Sequence, residues 1–232
     1  MIPFRDNIPS RSFPIINIAI ILANVSVFFY ELAQGRHLER FIMQHGVVPA
    51  AVFAWPETNL PISAVVLPFF TSMFLHAGWL HLIGNMWYLW IFGDNIEDRL
   101  GHFSYLIFYM LCGLGAGIVH TIFNYDVTVP SIGASGAIAG VLGAYLVSYP
   151  FARVLTLVPV FFFFVIEIPA VIVLGFWFLM QFLYGATALA STTQASGGVA
   201  WWAHVGGFIV GMILVGLFPR KDRPRYEYTW RS

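Results

Sequence analysis

The sequence predicts an all-α integral membrane protein, a six-transmembrane-helix bundle with an interfacial first loop. The composition carries most of this prediction, because 59% of the 232 residues are hydrophobic and only 9% are charged. Soluble domains carry about 25% charged residues, so this chain could not cover a globular surface with polar groups. The mean hydropathy of +0.79 agrees with that conclusion.

Six apolar runs approach the roughly 20 residues that a helix needs to cross a ~30 Å hydrocarbon core. The fourth run is short, and the fifth is expected to begin near Ile168, because Pro159, Glu167 and Pro169 interrupt the chain around that point. We expect one domain that covers residues 1–232. The predicted spans are residues 13–32, 79–93, 103–123, 133–149, 168–185 and 198–218.

The loop between the first two spans is also apolar, but four prolines and Glu57 interrupt it. A proline inside a helix costs about 3 kcal/mol, so a seventh crossing is not expected here. The loop is expected to lie along the membrane interface as short helices. Its prolines are Pro49, Pro56, Pro61 and Pro68.

Six spans place both termini on one side of the membrane. Nine of the eleven Lys and Arg residues then fall on that side, and only Arg36 and Arg40 fall opposite. The positive-inside rule therefore predicts cytoplasmic termini, and we expect a prokaryotic cell (inner) membrane. Acidic and basic residues balance to a net charge of zero, so nucleic acid is not an expected partner.

Glycines indicate which spans lie at the centre of the bundle. Gly136 and Gly140 form a GxxxG pattern in the fourth span, and Gly207 and Gly211 form another in the sixth. Such spacing lets helix backbones approach closely in a membrane. The two spans are therefore expected to touch.

A hydroxyl and an imidazole are predicted at the same depth in these two spans. Ser135 lies 15 residues before Pro150, and His204 lies 15 residues before Pro219. If each proline marks the inner end of its helix, the two side chains are level, as a serine nucleophile and a histidine base require. The alternatives are a small packing serine and a histidine satisfied by a neighbouring carbonyl. No acidic partner for His204 is apparent, so a dyad without an aspartate is expected.

His81 and Asn85 share one helix face through their i, i+4 spacing. Both can donate hydrogen bonds, either to a developing oxyanion or as a polar clamp between helices. His76 and His81, five residues apart, are expected on different helix faces and therefore not as a metal pair. The chain has a single cysteine and no HExxH, so no metal and no cofactor are expected.

Five segments together resemble the rhomboid family of intramembrane serine proteases, and the similarity covers roughly residues 12–218. The specific signals are GxSG opening one span, HxxxxHxxxN in another and AHxGG in the last. The segments are FTSMFLHAGWLHLIGNMWYLWIFGDNIEDRLG, GASGAIAGVLGAY, TLVPVFFFFVIEIPA, GFWFLMQFL and AHVGGFIVG.

The resemblance implies that Ser135 is the nucleophile, His204 its base, and His81 and Asn85 the oxyanion donors. It implies transmembrane protein substrates, cut within the lipid bilayer near the outer end of a span. Some members carry a tyrosine one turn after the serine, stacked on the histidine; here that position is Ala139, so support for the imidazole must come from elsewhere. A catalytically inactive rhomboid-like protein that binds membrane clients is the alternative reading. A transporter is disfavoured, because no internal repeat is visible.

Overall fold

The structure is a computed structural model that describes residues 1–160, 162–190 and 200–219, and most of these residues are helical. The helices are α1 (Ile15–Ala33), α2 (Leu38–His45), α3 (Pro49–Ala54), α4 (Ser63–Val66), α5 (Pro68–Thr71), α6 (Trp79–Leu100), α7 (His102–Phe123), α8 (Ser135–Ser148), α9 (Ala170–Ala190) and α10 (Trp201–Leu217). The strands are β1 (Ile2–Asp6), β2 (Arg153–Val160) and β3 (Phe162–Pro169).

Three of these helices are long and apolar enough to cross a membrane, which makes the chain an integral membrane protein. They are α1, α7 and the Ala170–Leu189 part of α9. A fourth candidate is the pair formed by Ser63–Phe74 and α6, which meet at a bend of 79°. The predicted fourth and sixth spans correspond to α8 and α10, apolar helices of 14 and 17 residues.

Helix α6 continues to Leu100, seven residues past the predicted end of the second span at Gly93. The added turns are charged, and they cap another helix. The Glu97 carboxylate accepts the backbone N–H groups of Ile16 at 3.0 Å and Asn17 at 2.7 Å, at the start of α1. A carboxylate there satisfies unpaired N–H groups and suits the positive end of the helix dipole. This contact fixes α1 against α6.

A three-stranded antiparallel sheet, in the order β1-β2-β3, corrects the all-α prediction. Strands β2 and β3 form a hairpin that pairs Arg153 with Pro169 and Val160 with Phe162. The predicted fifth span corresponds to α9, which begins at Ala170, close to the expected start near Ile168 and directly after β3. Strand β1 pairs along β2, and the Tyr145 hydroxyl of α8 donates a hydrogen bond to Asp6 of β1.

The loop between α1 and α6 forms short helices, as the sequence predicts. Prolines stand at the first positions of α3 and α5, where the missing N–H costs nothing. Thr71 ties the loop together by donating to the His45 carbonyl at 2.7 Å. The last helical turn of the loop ends at Phe74, and Gly78 is the residue directly before α6.

Helices α8 and α10 pack through their glycines, which confirms the predicted contact. A Cβ on Gly211 would overlap the backbone of Gly140, and one on Gly140 would overlap Cys112 of α7. The centre of the bundle is therefore the trio α7, α8 and α10. The start of the predicted sixth span (198–199) and the basic tail lie outside the described residues; the tail's cations are Arg220, Lys221, Arg223, Arg225 and Arg231.

Candidate active site

Ser135 and His204 meet where α8 and α10 begin. Ser135 is the first residue of α8, and His204 lies one turn into α10. The distance from Ser135 Oγ to His204 Nε2 is 2.8 Å, a normal hydrogen bond. The glycine contact between the helices allows this approach, because a Cβ on Gly207 would overlap the Gly136 carbonyl oxygen.

The other imidazole nitrogen of His204 also has a partner. His204 Nδ1 lies 2.7 Å from Oε1 of Gln181, a residue of α9 that is 8% exposed. An amide oxygen only accepts, so Nδ1 carries the proton and Nε2 presents its lone pair. In this tautomer the Ser135 hydroxyl donates to Nε2. In this geometry Nε2 could accept the hydroxyl proton, as a general base does from a nucleophile.

Aromatic rings flank the His204 imidazole. Trp177 of α9 lies one turn before Gln181. The centroids of the Trp177 and His204 rings are 5.8 Å apart, and the ring planes make an angle of 37°. Trp201 approaches edge-on at 6.3 Å. Ala139 has no ring to pack against the His204 imidazole, and the aromatic contacts come instead from α9 and from the start of α10.

His81 faces the backbone that leads into Ser135. A Cβ on Gly133 would lie only 2.7 Å from His81 Nε2, so a side chain at this position would displace the imidazole. Gly133 also has φ = +126°, a conformation that L side chains rarely adopt. The glycine two residues before Ser135 thus leaves room for His81 beside the start of α8.

Asn85 is oriented by a residue that the sequence reasoning did not assign to the site. Asn85 Nδ2 lies 3.0 Å from His76 Nε2, and His76 Nδ1 lies 3.3 Å from the Phe74 carbonyl oxygen. The carbonyl requires a proton on Nδ1, so His76 Nε2 accepts from the Asn85 amide. One N–H of Asn85 is thereby fixed, and the other remains for a second acceptor.

The expectation that His76 and His81 lie on different faces of one helix is wrong. His76 precedes α6, which begins at Trp79, so helical spacing does not apply to the pair. Their ring centroids lie 5.0 Å apart in an edge-to-face contact. The His76 backbone N–H is held by the buried Glu31 carboxylate of α1, at 3.1 and 3.2 Å. Within the described ranges, no group of three His, Cys, Asp or Glu side chains could hold a metal ion.

A cavity of about 30 Å³ adjoins Ser135. A single water needs roughly 10–15 Å³ measured in this way, so the space suits one or two waters. Small residues such as Ala116 and Gly136 line much of it, and polar groups are supplied by Ser72, Ser131 and His120. Water in this cavity would stand next to the serine.

Sequence reasoning missed Gln181, Trp177, Glu31 and the role of His76. The available signal was the cost of a polar group inside an apolar span, which makes each such residue a candidate for function. Gln181 is the polar residue within GFWFLMQFL, and Glu31 lies near the end of the first span. Their partners depend on helix rotation, which the sequence does not specify.

Comparison with known proteins agrees with the motifs. The profile of the family described as Rhomboid domain matches residues 63–221. Rhomboid-like protein 11, chloroplastic, of Arabidopsis thaliana is 30% identical over 66% of this chain and 52% of its own length. RHOMBOID-like protein 1 of the same plant is 27% identical over 93% of this chain and 56% of its own length.

A third relative is Presenilin-associated rhomboid-like protein, mitochondrial, of Bos taurus. It is 35% identical over 58% of this chain and 33% of its own length. The chain spans about half the length of the two plant relatives. The family profile covers more than half of the chain, and the chain belongs to the rhomboid family.

Proposed function

We propose that this protein is an intramembrane serine protease in which Ser135 and His204 form a catalytic dyad. The observation that carries the proposal is the 2.8 Å hydrogen bond between Ser135 Oγ and His204 Nε2. Family membership adds support. The substrates are transmembrane proteins, and the chain acts as one membrane domain with cytoplasmic termini.

The reaction begins when Ser135 Oγ attacks the scissile carbonyl carbon and its proton passes to His204 Nε2. Collapse of the tetrahedral intermediate breaks the C–N bond, and His204 gives the proton to the leaving amine. Water then attacks the acyl ester while His204 Nε2 takes a proton from it. When the ester C–O bond breaks, that proton returns to Ser135, and the substrate acid leaves.

The oxyanion of each tetrahedral intermediate needs hydrogen-bond donors. The first N–H groups of α8 lack acceptors within the helix, and the dipole makes that end positive. The side-chain donors are His81, which lies beside Gly133 just before α8, and Asn85, one turn along α6 from His81. One such donor typically contributes about 10²–10³ in rate.

Position in the membrane and access of water support hydrolysis. Helix α8 has 14 residues, which makes it about 21 Å long at 1.5 Å per residue. That is shorter than the ~30 Å hydrocarbon core, so a helix whose Ser148 end reaches the cytoplasmic interface would place Ser135 below the outer surface. The cavity beside Ser135 can hold the water that deacylation consumes.

The test is cleavage of a single-span reporter by purified protein in liposomes. Ser135→Ala and His204→Ala should abolish cleavage. Ser148→Ala is the matched control, because this serine of the same helix donates to its own helix at Ala144. Cleavage that survives Ser135→Ala refutes the proposal. Reporter binding without cleavage by the wild-type protein would favour the inactive, client-binding reading.

A further inference from the structure

The geometry points to Gln181 as the third member of the site, a positioning residue that selects the reactive tautomer of His204. The inference rests on the proposed protease function and deepens it. Gln181 Oε1 accepts the Nδ1 proton of His204 at 2.7 Å, while Ser135 Oγ faces Nε2 at 2.8 Å. The three side chains form one hydrogen-bonded row that spans α9, α10 and α8.

The hydrogen bond between Gln181 and His204 is buried, which makes it costly to break. Gln181 and His204 are each 8% exposed. A buried polar group without a partner is costly, so the amide and the imidazole hold each other in place. Without an acceptor at Nδ1, the proton could occupy Nε2, where it would block acceptance of the serine proton. Gln181 thus performs, with a neutral amide, the orienting task that a buried aspartate performs in other serine proteases.

Helix α9 holds the imidazole in two ways. Trp177 and Gln181 are spaced i, i+4, so they share one helix face. Trp177 lies beside the His204 ring in a tilted aromatic contact, while Gln181 accepts the proton on its Nδ1. Phe178, directly after Trp177, stacks on Phe208 of α10 with ring centroids 4.7 Å apart, which fixes α9 against α10. The alignment of the dyad therefore depends on the placement of α9.

Two variants separate positioning from packing. Gln181→Met keeps the length of the side chain and removes the acceptor. Gln181→Glu keeps an acceptor and adds a charge that stabilises the imidazolium. Leu179→Met is the matched control, because Leu179 is on the same helix and 49% exposed.

The measurement is reporter cleavage in liposomes as a function of pH, with kcat and KM separated. For Gln181→Met we expect kcat to fall roughly 10- to 100-fold with little change in KM. For Gln181→Glu we expect partial rescue over Gln181→Met. Its acidic midpoint of kcat/KM should rise by about one pH unit, because a protonated base cannot accept the serine proton. The other titratable groups that act on His204 are His81 and His120, and both stay unchanged.

The inference is overturned if Gln181→Met cleaves like the wild type, or if both variants lose activity equally at an unchanged midpoint. If Gln181→Met does not fold, the acidic midpoint of kcat/KM in Gln181→Glu tests the inference by itself, and an unchanged midpoint overturns it. Failure of the proposed function would look different, since cleavage would then persist in Ser135→Ala. An active wild type, a silent Ser135→Ala and indifferent Gln181 variants would refute only the positioning role.

Discussion

Gly207 of α10 lies against the carbonyl oxygen of Gly136 of α8, so closely that a Cβ on Gly207 would overlap it. Gly136 follows Ser135 directly, and Gly207 lies three residues after His204. The contact therefore sets the separation of the two helices beside the dyad. Any side chain at Gly207 must move the serine away from the imidazole.

Gly207→Ala is expected to lower stability by about 1–3 kcal/mol, as overpacking does, and to abolish cleavage. Gly216→Ala is the control on the same helix, because no atom lies within 4 Å of the Cβ it would add. Melting temperature and reporter cleavage measure the two effects. Wild-type cleavage by Gly207→Ala would contradict this account of the dyad.

The helices could be predicted from the sequence because lipid imposes a simple rule of length and polarity. The predicted first span, 13–32, corresponds to α1 at Ile15–Ala33. The hairpin of β2 and β3 could not be predicted in this way. Its apolar run lacks a strand period, and its pairing with β1 joins residues about 150 positions apart.

Some contacts of the candidate site could likewise be predicted from the sequence, and others could not. The contact of Ser135 with His204 follows from two glycine-lined helices and two equal spacings to a proline, all of which can be counted along the chain. The contacts of Gln181 and His76 depend on helix rotation and on where α6 begins. A count of residues gives neither, and the assumption that His76 was helical led to the wrong placement of its ring.

His76→Ala is expected to slow cleavage roughly tenfold, about 1.4 kcal/mol. This is less than the loss of a whole oxyanion donor, because Asn85 is still present and only loses the partner that orients it. The reason is that His76 Nε2 fixes the Asn85 amide at 3.0 Å. The cleavage rates of His76→Ala, Asn85→Ala and the double variant form a double-mutant cycle that measures the coupling between the two residues. If His76 acts through Asn85, the double variant is no slower than Asn85→Ala. Additive losses would contradict this role.

Gly133→Ala is expected to destroy cleavage by displacing His81. The alanine would meet the His81 ring at 2.7 Å and would adopt φ = +126°. Gly35→Ala is a control for the backbone effect, because Gly35 has φ = +50° and no neighbour within 4 Å of the added Cβ. It should cost about 1 kcal/mol in stability and leave the cleavage rate unchanged. Equal losses of activity in both variants would argue against displacement of His81.

The partly buried carboxyl of Asp6, in β1, is expected to make the stability of the folded protein depend on pH. Burial raises the pKa of Asp6 from 3.8 to about 6, although the hydrogen bond from Tyr145 opposes the shift. A second titratable carboxyl, Asp94 of α6, interacts electrostatically with Asp6. The folded protein thus holds the Asp6 proton more tightly than the unfolded chain. This favours the folded state below pH 3.8, and the benefit is lost as pH rises through about 6.

The expected result is a melting temperature that falls between pH 4 and pH 6.5, from a loss of up to about 3 kcal/mol in the free energy of unfolding. Asp6→Asn stays neutral, and its amide oxygen can still accept from Tyr145, so its melting temperature should change less over that interval. Glu39→Gln, which alters an exposed carboxyl of α2, is the control and should follow the wild type. Parallel curves for Asp6→Asn and the wild type would show that Asp6 does not govern this dependence. If the melting temperature of Asp6→Asn does not change with pH while that of Glu39→Gln falls, the pH dependence arises at the contact between β1 and α8.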